Sequence, residues 1–264
     1  MNIVVCIKQV PDTTEIKIDP KKGTLIRDGV PAIINPDDKA AIEYALQLKD
    51  KYKAKVTVLT MGLPAAKEAL AEAIAMGADK GVLLTDRALG GADTLATSKS
   101  IAAAVKKLKA DLIIAGRQAI DGDTAQVGPE MAQHLGIPQI TYVSELKYNR
   151  KEKLFTAKRQ LEDGYQVCQA PAPLLITVLG KSVKARYMRV DRIVEVANDE
   201  SLIKTMTAAD LDLPLEELGL KGSPTKVKES HAKELIAKGS APVEVEPEEA
   251  ANMIVKKLEE LHLI

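Results

Sequence analysis

Short, almost wholly apolar runs alternate with helix-period segments along the first two thirds of this chain. That alternation constrains the fold more than any other feature. Asn2–Ile7, Lys55–Thr60, Gly81–Leu84, Asp111–Ala115 and Leu174–Val178 read as strands buried on both faces. The segments between them place apolar residues three and four apart. Pro36–Lys49 carries Ala40, Ala41, Tyr44, Ala45 and Leu48 on one face, and Pro64–Met76 carries Ala66, Ala69, Leu70, Ala73 and Ile74. Thr94–Leu108 carries Leu95, Ile101, Ala102, Val105 and Leu108, and Thr124–Leu135 carries Val127, Met131 and Leu135. The pattern predicts an α/β fold: a Rossmann-like, mainly parallel sheet with helices on both faces.

Two insertions break the alternation. Pro11–Arg27 contains Ile16–Ile18 and Thr24–Ile26 around a Lys21–Gly23 turn, which predicts a small hairpin. Val143–Cys168 reads as an antiparallel excursion with turns at Asn149–Lys153 and Glu162–Gly164. After Gly180 the character changes. Lys181–Arg192 is basic and polar, Ser201–Pro224 mixes a short helical pattern with a Pro/Gly exit, and Pro247–Leu261 reads as a terminal helix with Ala250, Ile254, Leu258 and Leu261 inward. Residues 1–179 therefore read as the core and residues 180–264 as an arm that wraps its own core or a partner.

Composition excludes several functions. Lys plus Arg and Asp plus Glu both number 37, so no global field favours nucleic acid or anionic lipid. Aromatic residues are 3% of the chain with no Trp, which argues against a base-stacking surface. No run is long and apolar enough for a transmembrane helix. A strand pattern that begins at Asn2 reads as a chain without a leader, so a cytoplasmic protein is expected. Cys6 and Cys168 form no CxxC pair, and His134, His231 and His262 have no ligand spacing. No metal site and no catalytic nucleophile, acid or base is expected.

In open α/β sheets, ligands bind beyond the carboxyl ends of the strands. Four such loops stand out. The first leaves strand one as Cys6-Ile7-Lys8-Gln9-Val10-Pro11-Asp12. The second is Asn35-Pro36-Asp37-Asp38, which also reads simply as a helix start. The third is Gly90-Gly91-Ala92-Asp93-Thr94, with Thr97 and Ser98 behind it; its hydroxyls suit phosphate, and its Asp suits a cap. The fourth runs from Gly116 and Arg117 through Asp121, Gly122 and Asp123 to a helix expected to start near Thr124. A helix N-terminus suits a pyrophosphate, and Arg117, Thr124 and Gln126 add donors. Asp123 with Gln126 also fits a capping box. GxGxxG after strand one and GxxxxGK[ST] are both absent.

Several stretches together resemble the β (small) subunit of electron-transfer flavoproteins. They are Val4–Asp12, Asn35–Asp38, Ala75-Met76-Gly77-Ala78-Asp79 and Gly116–Asp123, followed by Lys158-Arg159-Gln160-Leu161-Glu162-Asp163-Gly164-Tyr165-Gln166 and Pro173–Thr177. The resemblance covers Met1 to about Arg192, and Cys168 stands where an aliphatic residue is usual. It implies an adenine-nucleotide α-hydrolase-like fold paired with a larger α subunit. Carried over residue by residue, the cofactor contacts are Cys6, Asn35, Pro36, Asp37, Asp38 and Met61, then Asp121, Gly122, Asp123, Thr124, Ala125, Gln126, Val127, Gly128, Met131 and Ala132. The family's docking loop for an acyl-CoA dehydrogenase falls on Arg186, Tyr187, Met188, Arg189 and Val190, with Val190 at the apolar anchor.

Ordinary members bury AMP in this site. Electron-bifurcating members hold a second FAD there, which accepts hydride from NADH and serves ferredoxin or flavodoxin. Val10–Thr13, Asp37-Asp38 and the Gly91–Ser98 stretch resemble the bifurcating members, so the resemblance favours FAD, with AMP the alternative. A nucleotide-binding module similar to universal stress proteins shares the fold and is the reading from another class. Such modules lack the Lys158–Thr177 signature and the long arm.

Overall fold

The computed structural model describes residues 1–12, 31–228 and 243–264 of the chain. The expected hairpin strands Ile16–Ile18 and Thr24–Ile26 lie outside the described residues. So does His231.

Strand β1 (Asn2–Cys6) leads into a short antiparallel pair, β2 (Gln9–Pro11) and β3 (Ala32–Ile34), and then into α1 (Pro36–Tyr52). Next come β4 (Lys55–Met61), α2 (Lys67–Met76), β5 (Lys80–Leu84), α3 (Thr94–Leu108), β6 (Leu112–Gly116) and α4 (Val127–Leu135). Strands β7 (Gln139–Asn149), β8 (Leu154–Gln160), β9 (Tyr165–Pro171) and β10 (Leu174–Val178) follow, then α5 (Val190–Asn198) and β11 (Ile203–Met206). The sheet has nine strands in the order β11-β5-β4-β1-β6-β10-β7-β8-β9. Strands β11 through β7 in that order pair parallel, and β8 and β9 close the edge antiparallel. This is the predicted α/β architecture with its antiparallel excursion.

Two cores flank the sheet, because alternate side chains of a strand face opposite ways. Ile3 and Val5 of β1 join α1 and α2 in one apolar cluster, and Val4 and Cys6 join α3 and α4 in the other. The third helix spans Thr94–Leu108, as the sequence predicts.

Three expectations need correction. Helix α4 begins at Val127, not near Thr124, because Asp123 (φ 49°) and Ala125 (φ 53°) take left-handed backbone and delay the first turn. Ser201–Pro224 contains a strand, β11, which pairs with β5 at the sheet edge. Strand β7 is longer than expected, bulges between Val143 and Glu145, and carries Tyr142 at φ 57°. That bend turns its second half toward α1, where Tyr44 donates to the Ser144 carbonyl (2.7 Å) and Tyr52 to the Tyr148 carbonyl (2.6 Å).

Residues Met1–Lys228 form one compact unit, so residues 180–228 share it with the sheet. A second unit, Glu229–Ile264, contains α6 (Pro247–Glu260). Of the four residues expected inward there, Ala250 and Leu258 are half-buried, while Ile254 and Leu261 are exposed. No helix among the described residues is long and apolar enough to cross a membrane.

Candidate functional site

Neighbouring strands β1 and β6 send their following helices, α1 and α4, to opposite faces of the sheet. A crevice opens where such connections diverge. The residues of α1's first turn hold its two sides together. Asp38 is buried and accepts two backbone N–H groups, from Lys8 beyond β1 (2.7 Å, Oδ2) and from Gly116 at the end of β6 (2.9 Å, Oδ1). Asn35 is fully buried. Its Nδ2 donates to the Gln118 carbonyl (2.8 Å) and its Oδ1 accepts from Ile120 N–H (3.1 Å). Its side chain makes no helix cap. It reaches the opposite loop instead, so the Asn35–Asp38 motif is more than a helix start.

Asp37 faces the other way. Its Oδ1 accepts from Gly180 N–H (2.9 Å), and its Oδ2 lies 3.5 Å from Arg117 Nε without closing a hydrogen bond. The Arg117 guanidinium also stands 5.9 Å from the Tyr142 ring centre. Close approach here needs glycine. A Cβ on Gly116 would sit 2.3 Å from Asp38 Oδ1, and one on Gly180 would sit 2.4 Å from Asp37 Oδ1.

The Gly116–Gly128 loop is the floor of the crevice. Lys8 Nζ pairs with Asp121 Oδ1 (2.7 Å), and Gln118 Nε2 donates to Asp123 Oδ1 (2.7 Å). The capping box expected from Asp123 and Gln126 does not form. Gln126 itself is the N-cap, and no side chain among the described residues caps α4. The helix therefore presents its first-turn N–H groups, at Val127 and Gly128, with the positive end of its dipole. Thr124, Gln126 and Gly122 are exposed beside it, Ala125 is half-buried, and Met131 and Ala132 are buried behind it. A Cβ on Gly128 would meet Thr177 Cγ2 at 2.5 Å, so the start of α4 lies hard against β10.

The β5–α3 loop divides by role. Asp93 caps α3 through Ala96 N–H (3.1 Å), and its Oδ2 accepts from Thr225 N–H (3.0 Å) and Oγ1 (2.8 Å). Ser98 is buried and spends its hydroxyl proton on the Leu95 carbonyl (2.9 Å), which removes it from any phosphate. Thr97 is half-buried. Thr94 Oγ1 lies 3.1 Å from Gln126 Oε1 and 3.2 Å from Glu130 Oε1, joining this loop to the start of α4.

The electrostatics follow from burial. Desolvation pushes the Asp38 carboxyl up to about 7, against the pull of its hydrogen bonds to Lys8, Asn35 and Gly116. Desolvation, with Asp38 nearby, pushes the Cys6 thiol up to about 12. Lys8 and Arg117 supply positive charge at the rim, and Met61 ends β4 half-buried. The donors suit an anionic, nucleotide-like group. Lys8 lay in the first loop, but only its long-range pairing with Asp121 makes it a rim residue.

The expected docking segment follows β10 and packs against Glu43 of α1. Arg186 is bound inward to Glu43, whose hydrogen bond raises the guanidinium's pKa further. Tyr187 (85% exposed), Met188 (48%) and Val190 (77%) face solvent. The Arg189 side chain pairs with Asp191.

Comparison with known proteins decides the family. The electron transfer flavoprotein domain family matches residues 22–210. The chain belongs to the electron transfer flavoprotein family, as a β-type subunit. It is 57% identical over 264 residues to the electron transfer flavoprotein subunit beta of Clostridium acetobutylicum, covering all of both chains. It is 48% identical over 266 residues to subunit CarD of the caffeyl-CoA reductase-Etf complex of Acetobacterium woodii, again covering all of both. It is 51% identical over 238 residues to the acryloyl-CoA reductase electron transfer subunit gamma of Anaerotignum propionicum, covering 87% of this chain and 88% of that one. The β1 and β6 crevice is thus the candidate cofactor site of an electron transfer flavoprotein β subunit.

Proposed function

We propose that this chain is the β subunit of an electron-bifurcating flavoprotein and that it holds FAD in the β1/β6 crevice. The observation that carries the reading is the braced crevice itself. Asp38 and Asn35 clamp the two loops, and the start of α4 beyond β6 carries no side-chain cap. The residues fit such a group. Arg117 Nε faces Asp37 Oδ2 at 3.5 Å without a hydrogen bond, and Thr60 Oγ1 near the end of β4 is buried with no partner among the described residues, which leaves donors for an anionic ligand. Val127 and Gly128 N–H, with Thr124, would take the pyrophosphate, and Asp121 and Asp123 would hold their own loop through Lys8 and Gln118. A flavin held there would supply the electron chemistry, hydride uptake from NADH and single-electron transfer.

The chain's own residues bind and orient that group and hold no catalytic acid or base. The resemblance of Gly91–Ser98 to bifurcating members supports FAD over AMP, and Thr94 in that stretch reaches Gln126 and Glu130 at the start of α4. In this reading the partner is a larger α subunit in the cytoplasm. The pair would serve ferredoxin or flavodoxin and, with a second FAD held elsewhere in the pair, an acyl-CoA dehydrogenase that docks on Arg186–Val190. The names of the caffeyl-CoA and acryloyl-CoA reductase relatives support an acyl-CoA enzyme as acceptor. The test is a cofactor count on the purified α/β pair. Two FAD per pair are expected; one FAD with one AMP would leave a β subunit with structural AMP and end the bifurcating reading.

A further inference from the structure

The segment after β10 is tied to α1 at three points. Gly180 N–H donates to Asp37 Oδ1 (2.9 Å), and the Tyr44 hydroxyl oxygen lies 3.1 Å from Ser182 Oγ. Arg186 then meets one carboxylate three times. Its backbone N–H (3.1 Å) and Nε (2.8 Å) donate to Glu43 Oε2, and its Nη2 (3.0 Å) donates to Glu43 Oε1. Nη2 also lies 2.9 Å from Asp50 Oδ2. The Glu43 side chain is only 7% exposed. Further on, Arg189 N–H donates to the Ala75 carbonyl (2.9 Å) and Arg192 Nη2 to the Ala78 carbonyl (2.7 Å), at the end of α2. Between these anchors Tyr187, Met188 and Val190 stand out, and Ile193 and Val194 continue the apolar strip along α5.

A planar guanidinium gripped by both oxygens of a buried carboxylate is fixed in rotation as well as position. Without that grip the exposed segment would sample many backbone states, and binding would have to order it at the cost of affinity. We propose that Glu43 is a positioning residue for partner docking: its grip on Arg186 pre-sets the Tyr187–Val190 segment in the shape that the partner enzyme meets. The inference rests on the docking reading above and deepens it. It also assigns Arg186 a different part from its neighbours, as the clamp that presents the patch. Glu43 lies six residues beyond Asp37 on α1, about 9 Å along the axis, so crevice and patch share one rigid helix.

The test uses the intact α/β pair with an acyl-CoA dehydrogenase purified from the same cells. Glu43→Gln keeps the shape and removes the charge; Arg186→Lys keeps the charge and removes the fork. Each is expected to raise the KM for the dehydrogenase about tenfold, with kcat at saturation within about twofold. Glu43→Gln should leave flavin content and partner-independent dye reduction at wild-type values. Amide exchange in Glu43→Gln should quicken in the segment around Tyr187 and Met188 and stay unchanged around Asp38. Val190→Asp tests the patch directly. If Val190→Asp raises KM and the two clamp variants do not, the positioning role is overturned and the docking reading survives. If Val190→Asp has no effect, the docking reading falls and the proposal with it. Lost flavin or lost dye reduction in Glu43→Gln would show a general folding role and also overturn it.

Discussion

The Lys8 ammonium lies 2.7 Å from Asp121 Oδ1, and this contact joins the exits of β1 and β6 across 113 positions of sequence. Lys8 is 45% exposed at its side chain and Asp121 only 5%, so the pair sits at the rim with its acid turned inward. Asp121→Asn should therefore cost the unliganded chain less than about 1 kcal/mol in urea unfolding. In the α/β pair it should weaken cofactor retention by about tenfold, some 1.4 kcal/mol, because the loop over the ligand loses its tether. Equilibrium dialysis of the cofactor against both proteins checks the contrast; an equal loss in both measurements would show that the pair serves only the fold.

Asp38 makes stability depend on pH. Its folded value of about 7 lies above the ordinary carboxylate range, so the folded chain holds this proton more tightly than the unfolded chain. The contribution is fully present below about pH 4 and is lost as pH rises through about 7. Asp38→Asn cannot titrate and should abolish that slope. It should also cost about 1–3 kcal/mol near neutrality, because its amide nitrogen must face a backbone N–H that an oxygen had accepted. Urea midpoints at several pH values, wild type against variant, separate the two effects.

Gly128→Ala should destabilise the chain by about 1–3 kcal/mol, since the new Cβ lands on Thr177 Cγ2. Thr177→Ser removes that methyl and keeps the hydroxyl that accepts from Tyr142 N–H (3.2 Å). The double variant should recover most of the loss. A thermal-melt cycle of the four proteins measures the coupling; simple additivity would show that the start of α4 has room to move.

The two cysteines should react differently. Burial and the Asp38 carboxylate hold Cys6 as a thiol up to about pH 12, while Cys168 is partly exposed on β9. At pH 8 an alkylating reagent should label Cys168 alone in the folded chain and both in denaturant, read by intact mass. Rapid native labelling of Cys6 would show that the β1 exit opens readily.

Much of this architecture was legible because its signals are local and repetitive. The β10 run and the α3 periodicity each state their element in full, and Gly136 in left-handed backbone ends α4 where the pattern ends. What escaped depends on contacts distant in sequence or on backbone that composition opposes. Ala125 favours helix by propensity yet sits at φ 53°, so α4 starts late. Strand β11 alternates too weakly to announce itself and exists because β5 offers an edge. In the site, the loop motifs were visible but their partners were not. Nothing local says that Asn35 bonds a loop 83 residues away, or that Ser98 turns its hydroxyl back onto its own helix.

The contact between Gly116 and Asp38 has a consequence for how such a chain can change over generations. The missing side chain at one position and the carboxyl at the other fill a single volume, since a Cβ on Gly116 would fall 2.3 Å from Asp38 Oδ1. A lineage cannot alter residue 116 first without colliding with residue 38, and shortening residue 38 first leaves the Lys8 and Gly116 amides unbonded. Each single step passes through a worse protein, so the two positions are epistatic and should drift together or not at all.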